Sequence, residues 1–246
     1  MGMFDLIRSG GKRELVPVEV APFDFTGICR ASDALNRLQD EIGGGYFYTA
    51  KVPAGESRQF NFFAPGSEES ESIERFTGVI VNAQKFRVRY EGDTLGQPPV
   101  CYAPQGVYGK ESGSEEELLC AECPFSRPGT DKAGVGAACK DKVELQILNE
   151  GLCSVVVFKL PRQSAESYRG YAKRLKIESG LEVHQVVTEF SLEPAYSCKG
   201  VKYYRVAFRT VGKLTEENAK ISREFAGAFR PYLLLEAEKK EEVQNE

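Results

Sequence analysis

The chain has no tryptophan, two methionines and a single histidine, His184. That histidine lies in an apolar run, where a packed or edge-strand imidazole is the ordinary reading, so no Ser–His–acid set can be assembled around it. No glycine-rich phosphate loop stands between a strand and a helix. Aspartates are sparse and never paired in the manner of two-metal phosphoryl chemistry. Together these absences argue against an enzyme and for a binding protein.

Long apolar runs are missing too. No stretch approaches the roughly 18 apolar residues that span a bilayer, and the N-terminal MGMFDLIRSGGKRE has no signal-peptide core. Gly2 begins a myristoylation-like string that Met3 and Arg8 do not support. The seven cysteines are an odd number. Without an export signal, they point to reduced thiols in the cytoplasm rather than to a disulfide framework.

What is present suits a globular protein. The 246 residues are 41% hydrophobic and 28% charged, with 15 Phe and 11 Tyr, enough for a sizeable core in one elaborated domain or two small ones. The net charge of −4 is unevenly spread. Acid collects at Glu68–Glu74, at Glu111 and Glu115–Glu117, and in the tail. From Lys142 to Lys213, twelve Lys and Arg face seven Glu, an excess of about five positive charges. A basic body with acidic appendages is compatible with binding a polyanion.

One stretch reads unlike the rest. From Cys101 to Cys139 the chain is rich in Gly, Pro, Ser and Glu, with little apolar periodicity. A polar loop of this length inside a domain is unusual unless it is functional or disordered. It also holds Cys101, Cys120, Cys123 and Cys139. A Cys-x-x-Cys turn offers two thiolates to one ion and two distant cysteines complete a tetrahedron, so a structural Zn2+ is the expectation. Free buried thiols, a redox pair and an iron–sulfur cluster use the same residues. Pro124 and the Gly-rich run that follows speak against a redox helix.

Along the chain, 1–66 reads as an N-terminal extension. Its parts are a Pro-interrupted arm, a helix over 32–42 capped by Ser32, and a hairpin formed by YFYTAKVP and SRQFNFFAP. Residues 67–75 read as a solvated acidic linker. FTGVIVNAQKFRVRY (76–90) is a long strand expected to bend near Asn82. After the cysteine loop, VELQILN (143–149) and SVVVFKL (154–160) form a hairpin about Glu150-Gly151. A helix follows, capped by Ser164 and stopped by Gly180, with Tyr168, Tyr171, Leu175 and Ile177 on its buried side. HQVVTEFSLEPAY and GVKYYRVAFRTV are two more strands. Thr215 and Glu216 open a C-terminal helix over 214–235 with Ile221, Phe225 and Phe229 inward, and 236–246 is an acidic tail.

The fold class is therefore mainly β (α+β). Five strands with one helix between the third and fourth, over 76–213, is the element order of an OB-fold-like five-stranded barrel. The zinc-binding loop 101–139 is inserted between strands 1 and 2, one of the two loops that bind oligonucleotides in that fold.

Single-strand binding needs cations along a groove and aromatic faces for bases. The first long strand offers Lys85, Arg87 and Arg89, expected outward. The cysteine loop offers Tyr102, Tyr108, Lys110, Phe125 and Arg127. The last strand offers Lys202, Tyr204, Arg205 and Arg209.

FTGVIVNAQ, QPPVCYAPQG, CAECPFS with the Gly-rich run to ACKDKVELQIL, and the strands after SAESYRGYAKRL carry a resemblance. Over about 44–230 the chain resembles a group of small replication-associated proteins of bacteriophages and related mobile elements. In that group the Gly-rich run is commonly followed by Cys-Lys, here Cys139-Lys140. The resemblance implies a zinc-containing, OB-like protein acting on single-stranded DNA in replication or recombination. Its cysteine pattern maps onto Cys101, Cys120, Cys123 and Cys139, while Cys29, Cys153 and Cys198 lie outside it. The acidic tail is a candidate site for replication or recombination partners. The alternative is a zinc-stabilised adaptor for a replication or transcription protein, or for RNA. It gains ground if the basic side chains pair with Glu182, Glu189 and Glu193.

Overall fold

The computed structural model describes residues 16–27, 47–53, 57–91, 99–196, 200 and 202–227. The expected helix 32–42, the turn between the two expected hairpin strands (54–56), Cys29, Cys198, Phe229 and the acidic tail lie outside the described residues.

The protein is mainly β. Strands β1 (Tyr48–Lys51), β2 (Phe60–Phe63) and β3 (Ser70–Ile73) precede the long β4 (Arg75–Arg89). Then come β5 (Cys101–Pro104), β6 (Tyr108–Glu111), β7 (Glu117–Leu119), β8 (Lys140–Asn149) and β9 (Ser154–Leu160). Helix α1 (Arg162–Ser179) separates these from β10 (Val186–Tyr196) and β11 (Lys202–Lys213). A second helix, α2, occupies 216–227.

The sheet runs β3-β2-β1-β9-β8-β4-β5-β6-β7, with β10 joined to β4 and β11 joined to β10. Five strands and a helix follow the expected order β4, β8, β9, α1, β10, β11. Among the described residues the sheet nevertheless stays open. The outer edge of β9, where a barrel would close, is taken by β1 in parallel through Tyr48–Ala50 and Val156–Phe158. The hairpin β1–β2 is thus part of the main sheet rather than an appended extension. The acidic run is exposed as expected, but it does not act as a linker. Four of its residues form β3, because Ser70–Ile73 find open backbone partners along Phe60–Phe63.

Strand β4 holds the fold together. Its first residues pair with β10, its middle with β8 and its last four with β5. One strand can serve so many neighbours because its register shifts between Ile80 and Asn82, the expected bend. An extra residue there raises the local twist and turns the second half toward β5.

Side chains alternate across the central strands, and both faces are buried, which is why VVVF and LQIL read as unbroken apolar runs. One face, with Ile80, Leu145, Ile147, Val156 and Phe158, packs under α1. The other, with Val79, Val81, Leu148, Val155 and Val157, packs under Phe23, Phe25 and Phe225. Phe76 is the aromatic hub of the first face, stacked on Phe190 at 4.5 Å and edge-on to Phe60 and Phe62 at 5.2 and 4.8 Å.

Helix α1 buries Tyr168, Tyr171 and Leu175 and ends at Gly180, whose φ of 74° is the left-handed value a glycine adopts freely. Two expectations fail here. Ile177 is 41% exposed. Ser164 is not the cap: the helix starts at Arg162 after Pro161, and the buried Ser164 Oγ instead accepts a hydrogen bond from the Val206 amide at 3.0 Å. Tyr171 adds a second polar tie, its hydroxyl 2.9 Å from Thr188 Oγ1 and 3.1 Å from Thr210 Oγ1. His184 is not in a strand either. It sits in a short 3-10 turn, Val183–Gln185. Thr215 does cap α2, accepting from the Asn218 amide. No helix among the described residues is long and apolar enough to cross a membrane.

Candidate metal centre and nucleic-acid interface

The cysteine stretch is not a bare loop. Cys101 opens β5 opposite Arg89, and β6 and β7 extend the same sheet. The Cys120 amide donates to Val107 O, and the Glu122 and Cys123 amides both donate back to Leu119 O. That folds the Cys-x-x-Cys segment into a tight knuckle, which Pro124–Ser126 continue as a 3-10 turn. The Cys139 amide donates to Phe125 O at 2.9 Å, bringing the last cysteine back to the knuckle. The Gly-rich run is tied internally. Thr130 Oγ1 accepts from the Ala138 amide, and Asp131 accepts from the Val135 amide and meets Lys140 Nζ at 3.4 Å. Those bonds, led by the Val135 amide, hold the Asp131 carboxyl below its usual range.

All four sequence-expected ligands, Cys101, Cys120, Cys123 and Cys139, line one small cavity with Arg89, Glu111 and Phe125. Gly109 makes the convergence possible. A Cβ on Gly109 would lie 3.1 Å from Cys101 Sγ and 3.4 Å from Cys120 Sγ, so any side chain there would crowd the thiols. Among the described residues, no three Cys, His, Asp or Glu side chains already form a closed metal-ligating group. Burial pushes the Cys101 thiol up to about 11 and raises Cys120 and Cys139 as well. Arg89 opposes that shift at Cys101, and Arg87 opposes it at Cys120 and Cys139. Thiols this reluctant to ionise become thiolates when a cation displaces their protons, which is how zinc is taken up. A soft, four-sulfur donor set with a Cys-x-x-Cys turn fits zinc.

The expected nucleic-acid ligands divide sharply. Phe86 and Val88 are buried as the alternation of β4 requires, and Lys85 is exposed. Arg87 and Arg89, however, do not face solvent. Arg87 Nε binds Asp141 Oδ1 at 2.6 Å while its Nη1 donates to Cys120 O and Ser126 Oγ. Arg89 binds Glu111 at 2.6 Å and covers the Phe125 ring at 4.1 Å. Tyr102 lies 5.9 Å from the Phe86 ring. Arg209 is held by both oxygens of Glu189, at 3.1 and 3.0 Å. Tyr108 and Arg127 are exposed and Lys110 is half-buried.

On β11 the candidates split between the two faces, Arg205 and Arg209 being exposed and Tyr204 buried. Tyr204 and Val206 are buried, and Tyr203 shares the open face with Arg205. The Tyr204 hydroxyl accepts from Arg58 Nε at 3.1 Å, and Lys202 Nζ lies 5.6 Å from its ring. The Arg58 hydrogen bond, aided by Lys202, lowers the Tyr204 pKa. The bond between Ser164 and Val206 brings the first turn of α1, with Arg162, against the same strand. Among the described residues none of Arg58, Arg162, Lys202 and Arg205 is held in an ion pair. Arg58 and Arg162 carried no signal in the sequence, since each is a lone cation beside an apolar segment.

His184 is half-buried, 3.6 Å from Glu182 and 3.5 Å from Arg223, and burial lowers its pKa. Comparison with protein-family models, with curated proteins and with solved structures finds no match to this chain.

Proposed function

We propose that this is a sequence-tolerant single-stranded DNA-binding protein of phage or mobile-element replication or recombination, with a zinc-stabilised lobe and no catalytic role. The order β4, β8, β9, α1, β10, β11 is read as OB-like, with the cysteine lobe in place of its first binding loop. One observation carries the reading. Arg58 and Lys202 converge on Tyr204, on the face of the β10–β11 arm that Tyr196, 68% exposed, shares, while Arg205 is exposed on the opposite face beside Tyr203, and none of these three cations is in an ion pair among the described residues. Cations outside ion pairs, close to an exposed aromatic ring, are what phosphate neutralisation and base stacking need. On this reading the contact surface lies on the β10–β11 arm and less on β4, and the protein works in the cytoplasm.

The test is fluorescence anisotropy with labelled oligo-dT across a salt series. Affinity is expected to fall steeply with salt. The triple variant R58A/K202A/R205A is expected to flatten the slope of log K against log salt by about 2, at about 0.7 for each phosphate no longer neutralised. Binding that is unchanged at 500 mM salt, or the same in the variant, would overturn the proposal.

A second reading has its own observation. Arg87, Arg89, Arg209 and Lys176 are already paired with Asp141, Glu111, Glu189 and Glu182, leaving these surfaces nearly neutral. The exposed Val107, Tyr108 and Leu118 on the lobe then suit an adaptor for a replication or transcription protein. One zinc per chain with no affinity for oligo-dT or oligo-U selects this reading.

A further inference from the structure

Two arginines on neighbouring outward positions of β4 are turned away from solvent and into the cysteine lobe, an unusual use of guanidinium groups on a strand. Arg87 grips both ends of the knuckle, donating from Nη1 to Cys120 O at 3.3 Å and to Ser126 Oγ at 3.2 Å. Its Nε is fixed from behind by Asp141 on β8. Arg89 lines the thiol cavity itself, is fixed by Glu111 on β6, and lies over the ring of Phe125, the residue two beyond Cys123. Cys101 stands directly opposite Arg89 in the β4–β5 register. The segments carrying Cys101, Cys120 and Cys123 thus each meet one of these two side chains.

A metal bound by four thiolates carries net negative charge. In a cavity partly shut from water that charge needs nearby cations and donors, the usual task of groups that support a ligand shell. A planar guanidinium offers charge and several N–H groups in a fixed fork, where a lysine offers a point charge with three donors on a freely rotating ammonium. We infer that Arg87 and Arg89 are positioning residues of the cysteine centre: Arg87 sets the knuckle's shape, and Arg89 supplies charge beside Cys101. This rests on the reading of the four cysteines as a metal site. It also assigns these two arginines a role other than contacting nucleic acid. The lobe is thereby tied to the register of β4, so ion uptake and the seating of β5 on β4 are one event.

The experiment measures zinc affinity by competition with a chromophoric chelator, and the cobalt(II) thiolate absorption, for the full-length protein and for R87M, R87K, R89M and the distant control R209M. R87M and R89M are expected to bind zinc about 10- to 100-fold more weakly, as outer-shell losses do. R87K is expected to recover only part of the loss, and its cobalt spectrum to differ from the parent because the fork to Cys120 O and Ser126 Oγ is gone. R209M is expected to match the parent. Far-UV circular dichroism on each variant separates loss of the lobe from loss of the fold. R87M and R89M within two-fold of the parent would overturn the inference while leaving the metal reading intact. A parent protein that takes up neither zinc nor cobalt would overturn both.

Discussion

The Arg89 guanidinium lies 4.1 Å above the Phe125 ring while binding Glu111 at 2.6 Å. A strand and the turn after the Cys-x-x-Cys knuckle are therefore joined by a cation–π contact that neither segment reveals alone. Phe125→Ala removes the ring and leaves the ion pair. Because Phe125 is 37% exposed, the expected loss is about 1 kcal/mol, the upper range for exposed contacts of this kind. Urea denaturation of the two proteins checks it.

Phe76 stands at the crossing of β2, β4, β9 and β10, within ring contact of Phe60, Phe62, Phe158 and Phe190. Phe76→Ala opens a cavity where four strands meet, and backbone pairing prevents collapse. The expected cost is about 3–5 kcal/mol, read as a lower urea midpoint at unchanged slope.

Tyr171→Phe keeps the ring on Phe208 and removes only the hydroxyl shared by Thr188 and Thr210. Thr188 is fully buried, so the variant leaves a buried hydroxyl without its partner. A loss of about 1–3 kcal/mol is expected, and Thr188→Val combined with Tyr171→Phe is expected to restore part of it.

Chelation separates the lobe from the body. The lobe holds few buried apolar groups, whereas both hydrophobic cores lie outside 101–139. Removing the metal is expected to speed amide exchange across 105–138 and leave β8, β9 and α1 protected. Exchange monitored by mass spectrometry with and without chelator reports this directly. Equal protection in both states would count against a metal-folded lobe.

Acid sensitivity has a specific source in Glu189. Its hydrogen bonds from Arg209 lower its pKa in the folded chain. A carboxyl with a depressed folded pKa adds stability above its ordinary value of 4.5, and that stability fades as pH falls through the lower folded value. Stability is therefore expected to drop below about pH 4.5, and Arg209→Met to show a smaller drop in the same window. Thermal melts from pH 3 to 7 make the comparison.

Much of the architecture is local enough to be legible from residue order. Period-two alternation in FRVRY, the unbroken runs VELQILN and SVVVFKL, and the Tyr168–Tyr171–Leu175 stripe each belong to one element, so side-chain direction follows from the backbone repeat. The cysteine spacing likewise named Cys101, Cys120, Cys123 and Cys139, and the chain brings them to one cavity. What misled was anything that depends on a neighbour. Arg87, Arg89 and Arg209 read as outward cations because alternation gives direction and says nothing of what lies outside the strand. Carboxylates from β8, β6 and β10 meet them there. Tyr204 reads as a candidate ligand from its type alone, and the pairing of β11 with β10 decides that it shares the buried face with Val206.

The sequence by itself thus determined the long strands β4, β8, β9, β10 and β11 with helix α1, the apolar runs that make the cores, and a set of four thiols with few competing uses. Only the tertiary structure decided that β1 occupies the edge of β9, that the acidic run becomes β3, and which cations are drawn into ion pairs. The reason is physical. Helix and strand periodicity are written in contacts a few residues apart, but strand edges and ion pairs are settled by segments far apart in the chain, whose relative placement is a property of the packed core.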